Sequence, residues 1–184
     1  DETLVSTDGA GERAFERAAK SVFGVELSLS EIDYSGQTDP VIGLLVRRHF
    51  GLPDDDATVD HFLADFLRFL PEELPRGTPC VLPGVEQLTA MAVEDAAIAQ
   101  GLLTGNLSAG AEIKLRYFGL WERFPFGAFA DDARERERLG PIALRRASAH
   151  HGTNFLTDAT IVIGDTVRDV ACAHVFGARC LAVA

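Results

Sequence analysis

At 184 residues and 47% hydrophobic content, the chain can bury a sizeable core, either as one domain or as a core with a smaller insertion. Its net charge of −11, with acids spread along the sequence, opposes binding to nucleic acid or an anionic membrane, so a phosphorylated small substrate would need local cations. Cys80, Cys172 and Cys180 form neither an even disulfide framework nor a close metal-binding pair, and no run approaches the roughly 18 apolar residues of a membrane span; the expectation is a cytoplasmic protein with reduced thiols.

From about residue 10 to 77 amphipathic helix patterns recur with no clear strand. Ala14, Phe15, Ala18, Ala19 and Val22 share one helical spacing, Ile42, Leu45, Val46 and His49 a second, and Phe62, Phe66, Leu67 and Leu70 a third. This stretch is a predicted helical insertion, with Pro71, Pro75 and Gly77 marking its exit. Residues 79–81 then return to the core, and Pro83 and Gly84 precede a helix at about 85–92. Beyond it, strand and helix signals alternate as in a parallel sheet covered by helices. Residues 96–103 read as a strand ending at Thr104, and helices follow at about 108–118 and 136–149. A β-branched strand at 159–163 leads to Gly164 and Asp165, a helix at 169–176 closes at Gly177, and 179–184 read as the next strand.

Three segments carry chemistry. Asp165-Thr166-Val167-Arg168-Asp169 lies between a strand and a helix, where open α/β sheets bind ligands. Its two carboxylates suit a hard cation such as magnesium; the same residues also suit a plain helix start, with Thr166 capping and Asp169 meeting the dipole. Thr104-Gly105-Asn106 offers a hydroxyl, a close backbone approach and the amides of the following helix to one phosphate oxygen, or is an ordinary turn. The run Arg134-Glu135-Arg136-Glu137-Arg138 supplies a bidentate cation for an oxyanion, or is a solvated helix face.

Taken in order, these segments resemble the haloacid dehalogenase-like hydrolases. Gly164 to Asp169, continuing through Phe176-Gly177-Ala178, resembles the family's fourth motif, and Leu102-Leu103-Thr104-Gly105-Asn106 its second. Asp1-Glu2-Thr3-Leu4 looks like the tail of a first motif that reads Asp-x-Asp-x-Thr-Leu. Gly36-Gln37-Thr38-Asp39 is similar to a cap segment of phosphoglycolate phosphatase-like members, and Leu82-Pro83-Gly84-Val85 to their return to the core.

The resemblance implies an α/β fold in which a Rossmann-like parallel-sheet core, residues 1–9 and 78–184, carries an inserted α-helical cap, residues 10–77. It implies a magnesium-dependent phosphatase that hydrolyses a small phosphorylated metabolite through an aspartyl-phosphate. Asp1 would be the general acid and base and touch the metal; Asp165 would ligate magnesium and Asp169 support its shell. Thr104, with the amides of Gly105 and Asn106, would hold the phosphoryl group. Arg136 matches the basic third-motif position by its distance to Pro141-Ile142-Ala143, with Arg134 and Arg138 as competitors where relatives carry Lys-Pro. Gly36, Thr38 and Asp39 would line the substrate side of the cap, or form a turn that begins a helix. In this register the nucleophilic Asp lies two residues ahead of Asp1, and both ends of the sequence are expected to be truncated. The same fold also hosts mutases, dehalogenases and non-catalytic binding proteins.

Overall fold

The computed structural model describes residues 2–52 and 55–183. A short strand, β1 (Val5–Ser6), leads into three helices, α1 (Ala10–Phe23), α2 (Asp39–His49) and α3 (Asp56–Glu73). The chain returns through β2 (Cys80–Val81), which pairs antiparallel with β1 in the register Val5↔Val81 and Ser6↔Cys80. Two β-α-β units follow α4 (Val85–Glu94) and are separated by α6 (Leu139–His151). In the first, β3 (Leu102–Leu103) crosses through α5 (Ser108–Tyr117) to β4 (Gly127–Ala128); in the second, β5 (Ile161–Gly164) crosses through α7 (Val167–Val175) to β6 (Arg179–Ala182). Both strand pairs are parallel. Among the described residues the strands form three two-stranded sheets and no continuous one, although Leu103 of β3 packs on the Val162 cluster beneath β5.

The helical spacings seen in the sequence bury what they predict. Phe15 stacks on Phe66 with ring centroids 3.9 Å apart, and Phe62 packs against both Phe15 and Phe23. Aromatic pairs of this kind bury large apolar areas and lock α1 to α3. Val5, Val85, Leu102, Leu115 and Leu120 form a second cluster under β1 and β3. Trp121 and Phe129 pack against that cluster.

Two local expectations need correction. The strand expected at 96–103 is reduced to Leu102–Leu103, because Asp95 to Ile98 form a turn and the Gln100 amide spans the Thr89 and Arg123 carbonyls. Pro71 does not end its helix, since α3 continues to Glu73.

That last turn is held by a charge cluster. The Glu73 side chain, 1% exposed, accepts hydrogen bonds from Arg17 Nη1 at 2.6 Å, Arg76 Nη1 at 3.0 Å and Arg13 Nε at 3.1 Å. Burial alone would push the Glu73 carboxyl up, but the bonds from Arg17 and Arg13 outweigh it and hold the group below its ordinary value. Arg13 also donates to the Asp8 carbonyl, and the Asp8 carboxylate accepts from the Thr78 amide at 2.8 Å, so the chain entering α1 and the chain leaving α3 are tied at one point. Because the arginines are partly exposed, Glu73→Gln is expected to cost only about 1–3 kcal/mol at neutral pH. A depressed carboxyl contributes stability above its unfolded pKa of about 4.3 and loses it as pH falls through the folded value. Urea melts should therefore show the variant and parent separated at pH 7 and converging as the pH falls below the depressed folded value; an unchanged gap would remove the carboxylate from the account.

Candidate active site

Asp165 directly follows β5, at the carboxyl end of the strand. It is partly buried, and its Oδ1 accepts the Thr3 hydroxyl at 2.5 Å. Asp169, 3% exposed, sits in the first turn of α7 and completes a capping box with Thr166. Its Oδ2 accepts from the Thr166 amide at 3.0 Å and hydroxyl at 2.7 Å, while its Oδ1 takes a short ion pair from Arg136 Nη2. The helix-start reading of this segment is built as a capping box, and the Asp169 carboxylate also pairs with a guanidinium. With both Asp169 oxygens engaged by protein donors, Asp165 is the carboxylate with acceptor capacity to spare for a metal.

At the end of β3, Thr104 is anchored by its amide to the Ala128 carbonyl at 3.1 Å. Its hydroxyl oxygen accepts from the Asn106 amide at 3.1 Å, which leaves the hydroxyl proton able to donate. Asn106 uses both ends of its side chain: Oδ1 accepts from Lys114 Nζ at 3.2 Å, and Nδ2 donates to Asp39 Oδ1 at 3.2 Å.

The 36–39 loop, between α1 and α2, closes over both strand ends. The Gly36 carbonyl accepts from Arg136 Nη1 at 3.2 Å, and the Ser35 carbonyl from Arg168 Nε at 2.8 Å. The Thr38 hydroxyl donates to the Arg134 carbonyl at 2.7 Å. Asp39 donates its amide to the Gly105 carbonyl at 2.8 Å and accepts the Leu107 amide on Oδ2 at 2.7 Å. Thr38 and Asp39 are each 1% exposed, and α2 starts at Asp39 with Pro40 in its first turn, so the loop is at once a helix start and a joint with the core. Burial pushes the Asp39 carboxyl up and the Lys114 ammonium down, each offset in part by the other's charge.

The three arginines separate sharply. Arg136, with a side chain 15% exposed, is the one that enters the site; Arg134 reaches out to Asp56 and Arg138 to Glu135, both at exposed positions. The Arg136 Nε is buried without a partner among the described residues. Gly105 explains how the loops approach so closely, because a Cβ there would lie 2.6 Å from the Gln37 carbonyl oxygen and 3.1 Å from Arg136 Nη1. Gly105→Ala is therefore expected to displace the 36–39 loop and weaken phosphate binding about tenfold, read by calorimetric titration with inorganic phosphate. Unchanged affinity would show that the contact is incidental.

Asp1 lies outside the described residues. Of the other expected site residues, Gly36, Thr38, Asp39, Gly105, Asn106, Arg136 and Asp169 form one connected cluster, Thr104 adjoins it through Asn106, and Asp165 follows the same strand end. Sequence reasoning missed Thr3 as a partner of Asp165, and it missed Lys114. The signal for Lys114 was present: a lysine beside Ala111 and Leu115 on the buried face of α5. Among the described residues no group of three or more His, Cys, Asp or Glu side chains could hold a metal ion. The oxygen-only donors at the end of β5 still fit a hard cation that keeps several waters.

The family model for haloacid dehalogenase-like hydrolases matches residues 1–174. No curated protein matches the sequence. Among solved structures, CbbY from Rhodobacter sphaeroides in complex with phosphate is similar with a TM-score of 0.80 at 20% identity, over 98% of this chain and 81% of that one. A hydrolase from Pseudomonas syringae gives 0.74 at 17% identity, over 99% and 80%. A predicted phosphoglycolate phosphatase from Haemophilus somnus gives 0.72 at 16% identity, over 97% and 80%. At such identities the likeness establishes the fold: a Rossmann-like α/β core with helices.

Proposed function

The chain belongs to the haloacid dehalogenase-like hydrolases, and on that footing we propose that it is a magnesium-dependent phosphatase acting on a small phosphomonoester through an aspartyl-phosphate. In this reading residues 10–77 are the cap and residues 1–9 and 78–184 the core. The observation that carries it is the convergence on Arg136: one guanidinium touches Asp169 in the first turn of α7, the 36–39 loop, and the space beside Gly105 at the end of β3. That the similar CbbY structure is in complex with phosphate supports a phosphorylated ligand.

The roles follow from the donors. The Thr104 hydroxyl and the amides of its turn hold the phosphoryl oxygens, and Arg136, whose buried Nε an anion would satisfy, offsets their charge. A first-motif carboxylate two residues ahead of Asp1 attacks phosphorus, forming the P–O bond of an acyl phosphate as the ester P–O bond breaks. Asp1 gives its proton to the departing alcohol oxygen, then takes one from the water that hydrolyses the acyl phosphate and releases inorganic phosphate. Asp165, with the Asp1 carbonyl, would hold magnesium, which supplies charge stabilisation to the phosphoryl group. Asp169 orients Arg136 and the α7 start. The loop at 36–39 closes the site against water and selects the leaving group. No helix of the described residues is long and apolar enough to cross a membrane, and the reading places the enzyme in the cytoplasm.

The test is turnover by the full-length protein on a panel of small phosphomonoesters, with magnesium and with chelator. Magnesium-dependent release of phosphate is the expected result. A folded protein that binds phosphate without turnover would instead favour the non-catalytic binding protein.

A further inference from the structure

Helix α5 has an unusual N-terminus. Its capping position is Leu107, which has no side chain able to accept, so the amides at its start are satisfied from elsewhere in the fold. Ser108 donates its amide to Asp131 Oδ2 at 2.6 Å, and Leu107 donates its own to Asp39 Oδ2 at 2.7 Å. The second acceptor belongs to the 36–39 loop, 68 positions earlier in the chain. Its other oxygen takes the Asn106 amide, and Asn106 in turn receives Lys114 from the next turn of the same helix. Asp39, Asn106 and Lys114 thus form a chain of three polar side chains, the acid and the lysine buried and the amide between them partly so, in which Asn106 Oδ1 and Nδ2 are both engaged, although its type and place suited a phosphate ligand.

A buried carboxylate and a buried ammonium are costly to hold apart from water, and each becomes tolerable through the other and through the amide between them. The carboxylate arrives only with the 36–39 loop. We propose that Asp39 is a positioning residue that couples closure of the helical layer to the shape of the phosphate-binding turn: seated on the Leu107 amide and tied through Asn106 to Lys114, it holds residues 104–107 ready for an oxyanion. When the loop lifts, the Leu107 amide and the Asn106 side chain lose the Asp39 acceptor, Lys114 loses the Asp39 charge, and the turn relaxes. This rests on the phosphatase reading for its purpose, but its structural half stands apart from it.

The experiment uses the full-length protein and its variants Asp39→Asn, Lys114→Met and the double variant, with two readouts. Amide hydrogen exchange over residues 104–108 reports the turn, and calorimetric titration with inorganic phosphate in magnesium reports the site. Each single variant is expected to speed exchange at 104–108 and weaken phosphate binding about tenfold, the size of one lost charge-assisted hydrogen bond. The double variant should be no worse than the single ones, because the three groups act as a unit. Asn106→Ala cuts the bridge with both charges in place and should do the same, which keeps the test open if Asp39→Asn does not fold. Unchanged exchange at 104–108 in folded variants, or strictly additive losses, would overturn the coupling. Absence of phosphate binding in the parent would sink the phosphatase reading instead, while the exchange readout still decides whether Asp39 holds the turn.

Discussion

Asp165→Ala in the full-length protein is expected to abolish magnesium-dependent phosphomonoester hydrolysis while leaving the fold intact. The two halves of that result have separate physical grounds. Asp165 is partly exposed and its side chain accepts the Thr3 hydroxyl, so its removal should cost no more than about 1 kcal/mol of stability. It is also the carboxylate at the strand end whose oxygens are not fully consumed by protein donors, since Asp169 gives both of its own to Thr166 and Arg136. Losing a direct ligand should weaken magnesium by at least about 100-fold, the upper end for loss of an outer-shell partner. Asp165→Asn separates charge from shape, because an amide oxygen can still accept from Thr3. Turnover at saturating magnesium and a magnesium titration followed by calorimetry read the two variants. Retained activity in Asp165→Ala would move the metal elsewhere.

Arg136→Ala has the larger structural effect. The Arg136 and Asp169 side chains are 15% and 4% exposed, and removing the cation leaves Asp169 buried without its counter-charge. Breaking a buried pair from one side costs about 3–5 kcal/mol. The same change removes the donor to the Gly36 carbonyl, so the 36–39 loop loses a tie to the core. A lower denaturation midpoint and loss of phosphate binding are expected together. Arg136→Lys should recover part of the stability but little of the binding, because a single ammonium cannot serve Asp169, Gly36 and an oxyanion at once. Arg134→Ala and Arg138→Ala, at exposed positions, should stay within about 0.5 kcal/mol of the parent. Equal effects at all three positions would return the run to a solvated charged face.

Much of the architecture was legible along the chain because it depends on neighbours a few residues apart. The Phe15, Phe62 and Phe66 spacings announced helices with one buried face, and those faces pack on one another. The order strand, Asp165, helix, strand announced the β5-α7-β6 unit, whereas β4, which completes the other unit, carried too short a signal to be expected. Where local signals were weak, boundaries moved: an apolar run at 96–103 carried no marker of where pairing stops, and Pro71 looked like a helix end because the buried carboxylate that holds the next turn is invisible in the local pattern.

Helical and strand periodicity, the punctuation of Gly and Pro, and the residue types at strand ends are properties of contiguous sequence, and by themselves they determined the α/β class, the helical stretch from 10 to 77 and the candidate acids, Thr104 and arginine run. Partner choice belongs to the tertiary structure, because it pairs groups that are remote in sequence. Arg134, Arg136 and Arg138 are equivalent by spacing, and only the short helical turn at Arg136–Arg138 beside Asp169 decided which one points inward. Asp39 and Asn106 looked like a substrate-binding acid and a ligand amide, and Lys114 drew no reading. Folding brought them together across 67 positions of sequence, with Asp39 and Lys114 buried and Asn106 bridging them.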